Sequence, residues 1–165
     1  MGLWAKRAGI SAIVTIMAAA LAAAPVHAGP SDTMTIRGTV TRACHLIALP
    51  MTFGTIGVFL PTADTQTSVL IDCTPSTAYS VAFDDGDNFN GQRRMARTGA
   101  GFGTYLNYEI YRNAARTQRW GRTAAEVVSG VAPANGKVTL TAYGRANGFI
   151  VAGPFQDTVT VTISF

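Results

Sequence analysis

The sequence ends in an alternating segment, QDTVTVTISF, at residues 156–165. From Thr158 onward, every second position carries an apolar side chain, and the positions between them carry Thr or Ser. The apolar set is Val159, Val161, Ile163 and Phe165. Because successive side chains of a β-strand point to opposite faces, this pattern predicts a strand with one apolar face. An exposed edge on such a strand tends to pair with other chains, so a folded protein must cover or use it.

The same alternation recurs along most of the chain. It is clearest in five further segments: 33–41, 69–73, 79–83, 105–111 and 137–143. Clusters of Gly, Asn, Asp and Pro separate the segments, notably at 84–88 and 132–136. Short strands with turn signals between them predict an all-β sandwich or barrel. Helical periodicity is weak beyond the first residues, where only 114–122 allows a single turn.

The first 28 residues have the pattern of a signal peptide. Lys6 and Arg7 precede an apolar run at 8–24, and Val26-His27-Ala28 supplies a small-x-small cleavage pattern. The run is shorter than the about 20 residues of a membrane-spanning helix. We therefore expect cleavage after Ala28, export, and a mature chain that starts at Gly29. A retained N-terminal anchor is the alternative.

The charge of the mature chain is nearly balanced. Loss of Lys6 and Arg7 lowers the formal net charge from +4 to +2. No nucleic-acid partner is therefore expected. The arginines form two local groups, one at 93–97 and one at 112–122. Charged side chains usually face solvent, so both groups are predicted on solvated loop and strand faces.

Two cysteines, Cys44 and Cys73, lie in the exported part. In an oxidising compartment, such a pair is most simply one disulfide. With His45 they still fall short of the four ligands of a structural zinc site. We expect no metal and no cofactor.

Catalytic motifs are not evident. His45 is the single histidine beyond the leader, and no Ser-His-Asp or Cys-His set can be assembled around it from sequence motifs. The acidic run at 84–87 lacks the ligand spacing of a calcium loop, because Gly86 comes too early and position twelve is Met95. Glu109 and Glu126 stand outside any glycosidase motif. The chain is not expected to be an enzyme.

A series of landmarks runs in one order from Cys44 to Phe165. They are Cys44, Phe53-Gly54, Ile71-Asp72-Cys73-Thr74-Pro75-Ser76-Thr77-Ala78-Tyr79, Arg93-Arg94-Met95, Leu106-Asn107-Tyr108-Glu109-Ile110-Tyr111-Arg112, Trp120-Gly121, Tyr143-Gly144 and Gly153-Pro154-Phe155-Gln156-Asp157. In this order they resemble the spore coat protein U domain family, which includes subunits of archaic chaperone–usher pili. The resemblance covers nearly all of the mature chain.

The resemblance implies an incomplete immunoglobulin-like β-sandwich that lacks its final strand. In such pilins a periplasmic chaperone fills the open groove first, and the N-terminal extension of another subunit fills it later. On this basis the chain divides into a signal peptide at 1–28, a donor-strand extension at 29–43 and a pilin-type domain at 44–165. The terminal residues Val159, Val161, Ile163 and Phe165 would border the groove.

Residues 33–41 have the properties of a donor strand. The segment alternates, has few charges and precedes the first cysteine. Its apolar face carries Met34, Ile36, Gly38 and Val40. An ordinary first strand that pairs within its own domain is the alternative, and the resemblance favours donation to another copy.

The function implied is that of a secreted pilus subunit. Its expected partners are a periplasmic chaperone, an outer-membrane usher and other copies of itself or sibling pilins. The chain would pass through the periplasm to a cell-surface fibre with a role in attachment or biofilm formation. The alternative is a self-contained secreted surface or coat protein, or an adhesin module, with a β-sandwich fold.

Overall fold

The computed structural model describes residues 29–57, 59–99, 103–148 and 151–165. The predicted signal peptide lies outside these residues. The chain divides into two units, 1–38 and 39–165. In the first unit, residues 29–38 form no helix or strand and are exposed. Within the described ranges, no helix is long and apolar enough to cross a membrane.

The second unit is all-β in its described residues. Its nine strands, in chain order, are β1 (Cys44–Ala48), β2 (Thr62–Cys73), β3 (Ala78–Phe83), β4 (Arg94–Arg97), β5 (Tyr105–Tyr111), β6 (Val128–Val131), β7 (Lys137–Asn147), β8 (Phe155–Gln156) and β9 (Val161–Ser164). Six of them form one sheet in the order β1-β2-β7-β5-β4-β8, and three form a second sheet in the order β6-β3-β9. Neighbouring strands are antiparallel throughout. This confirms the all-β sandwich class.

The long β2–β7 ladder forms the centre of the larger sheet. It pairs Thr62 with Asn147 at one end and Asp72 with Lys137 at the other. Val69, Ile71 and Cys73 of β2 are buried, and the residues between them are exposed. Period-two burial of this kind is expected for a sheet with one face on the core and one in solvent.

Trp120 joins the two sheets. It lies in the connection between β5 and β6 and is buried. Its backbone N–H donates to Ile110 O of β5 at 2.8 Å, and its indole Nε1–H donates to Val81 O of β3 at 2.9 Å. Its ring packs on Phe83 with 4.7 Å between ring centroids. A buried indole needs such a partner for its N–H, and here the partner lies on the opposite sheet.

The Cys44–Cys73 disulfide is present and links β1 to β2. The two cysteines are direct partners in the antiparallel register, with Cα atoms 4.1 Å apart. The bridge therefore fixes β1 to the edge of the larger sheet at the point where the chain enters the domain.

Strands lie at five of the six predicted segments, with some differences in length, whereas 33–41 forms no strand in this structure. β2 begins seven residues before the predicted Val69, and β7 extends beyond the predicted Tyr143 to Asn147. The terminal strand is shorter than its pattern, because regular pairing covers only Val161–Ser164. The alternation continues upstream of it, where the chain passes between the two sheets.

Candidate functional site: an open apolar groove

Two edge strands from different sheets lie next to each other. In the described part of the chain, β1 pairs with β2 alone and β9 pairs with β3 alone. β1 also lies beside β9 without forming a ladder with it. The two sheets therefore stay unclosed along this side, and the backbone groups on the outer edges of β1 and β9 lack a strand partner there.

An apolar groove lies along this opening. Its first part is a cavity of about 350 Å³ between residues 48–53 and residues 155–161. Core side chains form its floor: Val69, Phe83, Met95, Tyr108 and Ile110. A second cavity of about 630 Å³ continues between residues 51–57 and 151–155. Both cavities share Met51, Phe53, Met95 and Phe155, so we treat them as one groove.

The C-terminal wall of the groove directs alternate side chains inward. The partly buried positions are Phe155, Asp157, Val159, Val161 and Ile163, and the Thr and Ser positions between them are exposed. Val159, Val161 and Ile163 pack against the core, and the first two line the groove. Phe165 is 57% exposed, and its place in the groove stays a prediction.

The backbone of the same wall is bonded on one side only. Asp84 N donates to Thr160 O at 3.0 Å, and Asp87 N donates to Thr158 O at 3.1 Å. Neighbouring residues in a strand direct their backbone groups to opposite edges. Val159 and Val161 therefore direct their N–H and C=O groups to the open edge. The residues that bring apolar side chains to the groove also offer it their hydrogen-bonding groups.

A glycine in the sheet lets the opposite wall close over the groove floor. Gly144 of β7 is buried, and a Cβ atom there would overlap the side chains of Met51 and Phe53. Phe53 packs on Tyr108 with ring centroids 5.9 Å apart. Sequence reasoning noted Phe53-Gly54 and Tyr143-Gly144 as landmarks but did not assign them to the groove.

A charge cluster that is partly buried surrounds Arg93, and it corrects one prediction. Arg93 was predicted on a solvated face, but its exposed fraction is 0%. Its guanidinium forms an ion pair with Glu109, which also binds Arg119 Nε at 2.9 Å. Arg119 also forms ion pairs with Asp85 and Glu126. The charges pair internally, which is the condition for burying an arginine.

The cluster shifts the pKa values of three members, Asp85, Glu126 and Arg119. Burial alone raises the pKa of Asp85, but the hydrogen bond and charge of Arg119 and the charge of Arg122 outweigh it and lower the pKa below its ordinary value. Hydrogen bonds from Thr123 and Arg119 lower the pKa of Glu126. Burial alone lowers the pKa of Arg119, but its hydrogen bonds to Asp85, Glu109 and Glu126 raise it overall. All these groups are therefore charged at neutral pH.

His45 and the acidic run at 84–87, which the sequence analysis tested for catalytic and calcium-binding motifs, lie in different parts of the fold. His45 is exposed on β1. Asp84 Oδ1 accepts from Gly86 N at 2.9 Å and from Thr160 N at 3.0 Å. Asp85 binds Arg119 and Arg122. The acidic run thus holds the loop after β3 against the groove wall.

The predicted donor residues are exposed. Residues 29–43 adopt no helix or strand, and Met34, Ile36 and Val40 are 85%, 86% and 85% exposed. Gly38 has no heavy atom within 4 Å of a Cβ built on it, apart from its own chain neighbours. Their assignment as a donor strand stays a prediction.

An all-β sandwich with an open apolar groove defines the class of this domain. The chain belongs to the Spore Coat Protein U domain family, whose model matches residues 31–162. No curated protein matches the sequence significantly.

A solved structure shows a similar fold. The chain is similar to one chain in the crystal structure of the CsuC–CsuE chaperone–tip adhesion subunit pre-assembly complex from archaic chaperone–usher Csu pili of Acinetobacter baumannii. The two are 27% identical, with a TM-score of 0.59 over 77% of this chain and 41% of that chain. This chain therefore spans less than half the length of that one. A chaperone–tip adhesin complex of CFA/I fimbriae biogenesis also matches, at 15% identity and a TM-score of 0.33. That match covers 73% of this chain and 38% of the other.

Proposed function

We propose that this protein is a structural subunit of a chaperone–usher pilus that polymerises by donor-strand complementation. The acceptor groove of one copy, lined by Val159 and Val161, takes up residues 33–41 of another subunit. Such an interface is heterologous, so it propagates into an open-ended fibre. The family and the structural similarity to a Csu pilus assembly complex support this role.

The observation that carries the proposal is the open groove with an apolar floor and an unpaired backbone edge. An added strand gains main-chain hydrogen bonds from the edge and side-chain burial from the floor. Left unfilled, the same groove exposes apolar side chains and invites aggregation. A subunit of this kind therefore needs a chaperone before it reaches its partner.

The donor segment resembles the groove wall in pattern, because both alternate apolar and polar side chains. Its nine residues at about 3.3 Å each span about 30 Å when extended. Met34, Ile36 and Val40 would occupy the apolar floor, and burial of each such side chain contributes about 1.5–3 kcal/mol. Gly38 suits a narrow part of the groove. The outward Thr residues of the donor would lie beside the exposed Thr158, Thr160 and Thr162 of the wall.

The remaining elements of the proposal follow from this assembly. Partners are a periplasmic chaperone, an outer-membrane usher and other pilin copies, and the finished fibre lies on the cell surface. Attachment and biofilm formation are the roles that such a fibre serves. No enzymatic activity is proposed.

Two substitutions in the donor segment test the mechanism. Ile36→Asp places a charge on the face that enters the groove, and Thr35→Asp places the same charge on the opposite face. We expect I36D to abolish fibre formation while its complex with the chaperone survives, because the chaperone supplies its own strand. We expect T35D to polymerise. Fibres are measured by electron microscopy and by heat-resistant multimers on gels.

Two outcomes contradict the proposal in different ways. Normal fibres from I36D exclude residues 33–41 as the donor. Loss of both fibre and chaperone complex in I36D, with a stable monomer formed by the wild-type chain alone, identifies the segment as an ordinary strand of its own domain. That second result supports the self-contained surface protein or adhesin module instead.

A further inference from the structure

One charged residue lies in the inward-facing row of the groove wall. Asp157 falls between Phe155 and Val159, so the alternation turns its side chain toward the groove, where it contributes to the lining. Its neighbours in the inward row are apolar. A carboxylate in such a place is costly unless several donors satisfy it.

Three donors satisfy the Asp157 carboxylate. Oδ1 accepts from Asn88 N at 3.2 Å and from Asn88 Nδ2 at 2.7 Å. Oδ2 accepts from the hydroxyl of Tyr108 at 2.6 Å. Burial and the nearby Asp157 raise the pKa of Tyr108, so its hydroxyl stays protonated and donates. Tyr108 belongs to the groove floor and Asn88 to the loop after β3.

The loop after β3 fits closely around this carboxylate. Gly86 has a φ of +81°, and a Cβ atom there would overlap the Asp157 carboxylate. A side chain at position 86 is therefore excluded by both backbone conformation and space. The loop and the aspartate form one packed unit.

Asp157 lies where the chain changes sheets. β8 ends at Gln156 in the larger sheet, and β9 begins at Val161 in the smaller one. Between them, the wall is held by bonds from the loop to Thr158 and Thr160. Asp84 O accepts a hydrogen bond from Arg93, and the Asp84 carboxylate accepts one from Thr160 N. Between β8 and β9, where regular strand pairing is interrupted, hydrogen bonds from side chains therefore help to hold the wall.

We propose that Asp157 is a positioning residue that holds the groove wall in its strand-accepting conformation before the donor arrives. This rests on the proposed function, because it assumes that a strand enters the groove. A wall already ordered by Tyr108 and Asn88 spares the donor the entropy cost of ordering it. Because the carboxylate of Asp157 is bound by Asn88 and Tyr108, the expected effect of Asp157 is on the geometry of the wall.

The test measures donor exchange in the mature chain refolded with a fluorescent peptide of residues 31–42. Competition with unlabelled peptide gives the dissociation rate, and titration gives the affinity. Asp157→Asn keeps the size of the side chain but replaces one acceptor oxygen with a donor. We expect a loss of peptide affinity of about tenfold, which corresponds to 1.4 kcal/mol.

Two further variants make the result specific. Tyr108→Phe removes a single hydrogen bond and keeps the ring on Phe53, so it should fold and lose about threefold in affinity. Asp72→Asn removes an equal charge on an exposed face, where Asp72 binds Lys137 at 2.7 Å, and should bind the peptide like the wild type. Hydrogen exchange at the amides of Asp87 and Thr160 should rise in D157N and Y108F, with the β2–β7 ladder unchanged.

The outcomes separate this inference from the proposed function. If the wild-type chain binds the peptide and D157N and Y108F bind it equally well, Asp157 has no positioning role. If exchange rises evenly across the β2–β7 ladder as well, the role is only general stability and the inference is wrong. If the wild-type chain neither binds the peptide nor forms polymers through its own residues 33–41, the proposed function fails.

Discussion

At the scale of single residues, Arg93 organises the end of the smaller sheet. Its guanidinium donates to three backbone carbonyls, those of Phe83, Asp84 and Trp120. It also pairs with Glu109 from β5. Arginine suits this position because its planar group offers five donors in fixed directions. One side chain therefore joins β3, β5 and the Trp120 loop.

Replacing this arginine should destabilise the domain strongly. Arg93→Met fills the space with an unbranched, apolar side chain but leaves three carbonyls and Glu109 without the donor groups of Arg93. We expect the free energy of unfolding to fall by about 3–5 kcal/mol in urea titrations. The control is Arg122→Met, because Arg122 is 67% exposed and pairs with Asp85 at the surface. That change should cost under about 1 kcal/mol. Equal, small losses in both variants would refute the role given to Arg93.

Thr77 offers a change in the opposite direction. It is buried, and within the described residues its hydroxyl Oγ1 has no hydrogen-bond partner. Thr77→Val keeps the shape and removes an unsatisfied polar group, so we expect a gain of about 1 kcal/mol. Thermal unfolding checks this, with Thr139→Val on the exposed face of β7 as the neutral control. A loss of stability in T77V would show that the hydroxyl has a partner, such as a bound water.

At the scale of elements, the groove depends on how closely one chain segment packs on β7. Met51 and Phe53 lie over Gly144, where a side chain would meet both of them. A strand interior normally disfavours glycine, so its presence here marks a close approach. The segment after β1 can therefore form a wall of the groove and also cover the core.

Adding one methyl group at this point should move that wall. Gly144→Ala forces Met51 and Phe53 away from the sheet, at a cost of about 1–3 kcal/mol for overpacking. We expect weaker donor-peptide binding and a lower unfolding midpoint. Gly29→Ala is the control, because Gly29 lies outside the groove lining and its Cβ would have no non-neighbouring heavy atom within 4 Å. Unchanged binding and stability in G144A would show that the wall adapts freely.

At the scale of the whole molecule, charge pairing predicts sensitivity to acid. Asp85 and Glu126 have pKa values below their ordinary values of about 4 in the folded chain. A hydrogen bond from Arg145 likewise lowers the pKa of Asp64. Because folding favours the deprotonated forms, this stability is present above about pH 5. It is lost as the pH falls through the ordinary values toward the lower folded-state values.

The unfolding midpoint should therefore stay level from pH 7 to about pH 5 and fall below that. Glu126→Gln removes one of the groups whose pKa is lowered and should make the fall shallower. Urea titrations at a series of pH values measure both curves. A midpoint that rises below pH 5, or an E126Q curve as steep as the wild type, would contradict this account.

The sequence predicted the elements that depend on local pattern. Alternation at 156–165 indicated which side chains face inward, and Val159, Val161 and Ile163 do pack against the core. The cysteine pair predicted the disulfide, and residue order identified the family. These features can be predicted because strand alternation is a pattern between neighbouring residues and because a disulfide depends on only two cysteines.

The tertiary structure decided which residues meet across the two sheets. The burial of Arg93 could not be predicted, because its partners come from β3, β5 and a distant loop. The same holds for Asp157, whose three donors belong to Asn88 and Tyr108. Long-range pairing determines which polar groups are removed from water together, and the local alternation of side chains gives no information about that pairing. By itself, therefore, the sequence determined a β-domain whose terminal segment has one apolar face, and the packing of the two sheets decided which polar groups that segment contacts.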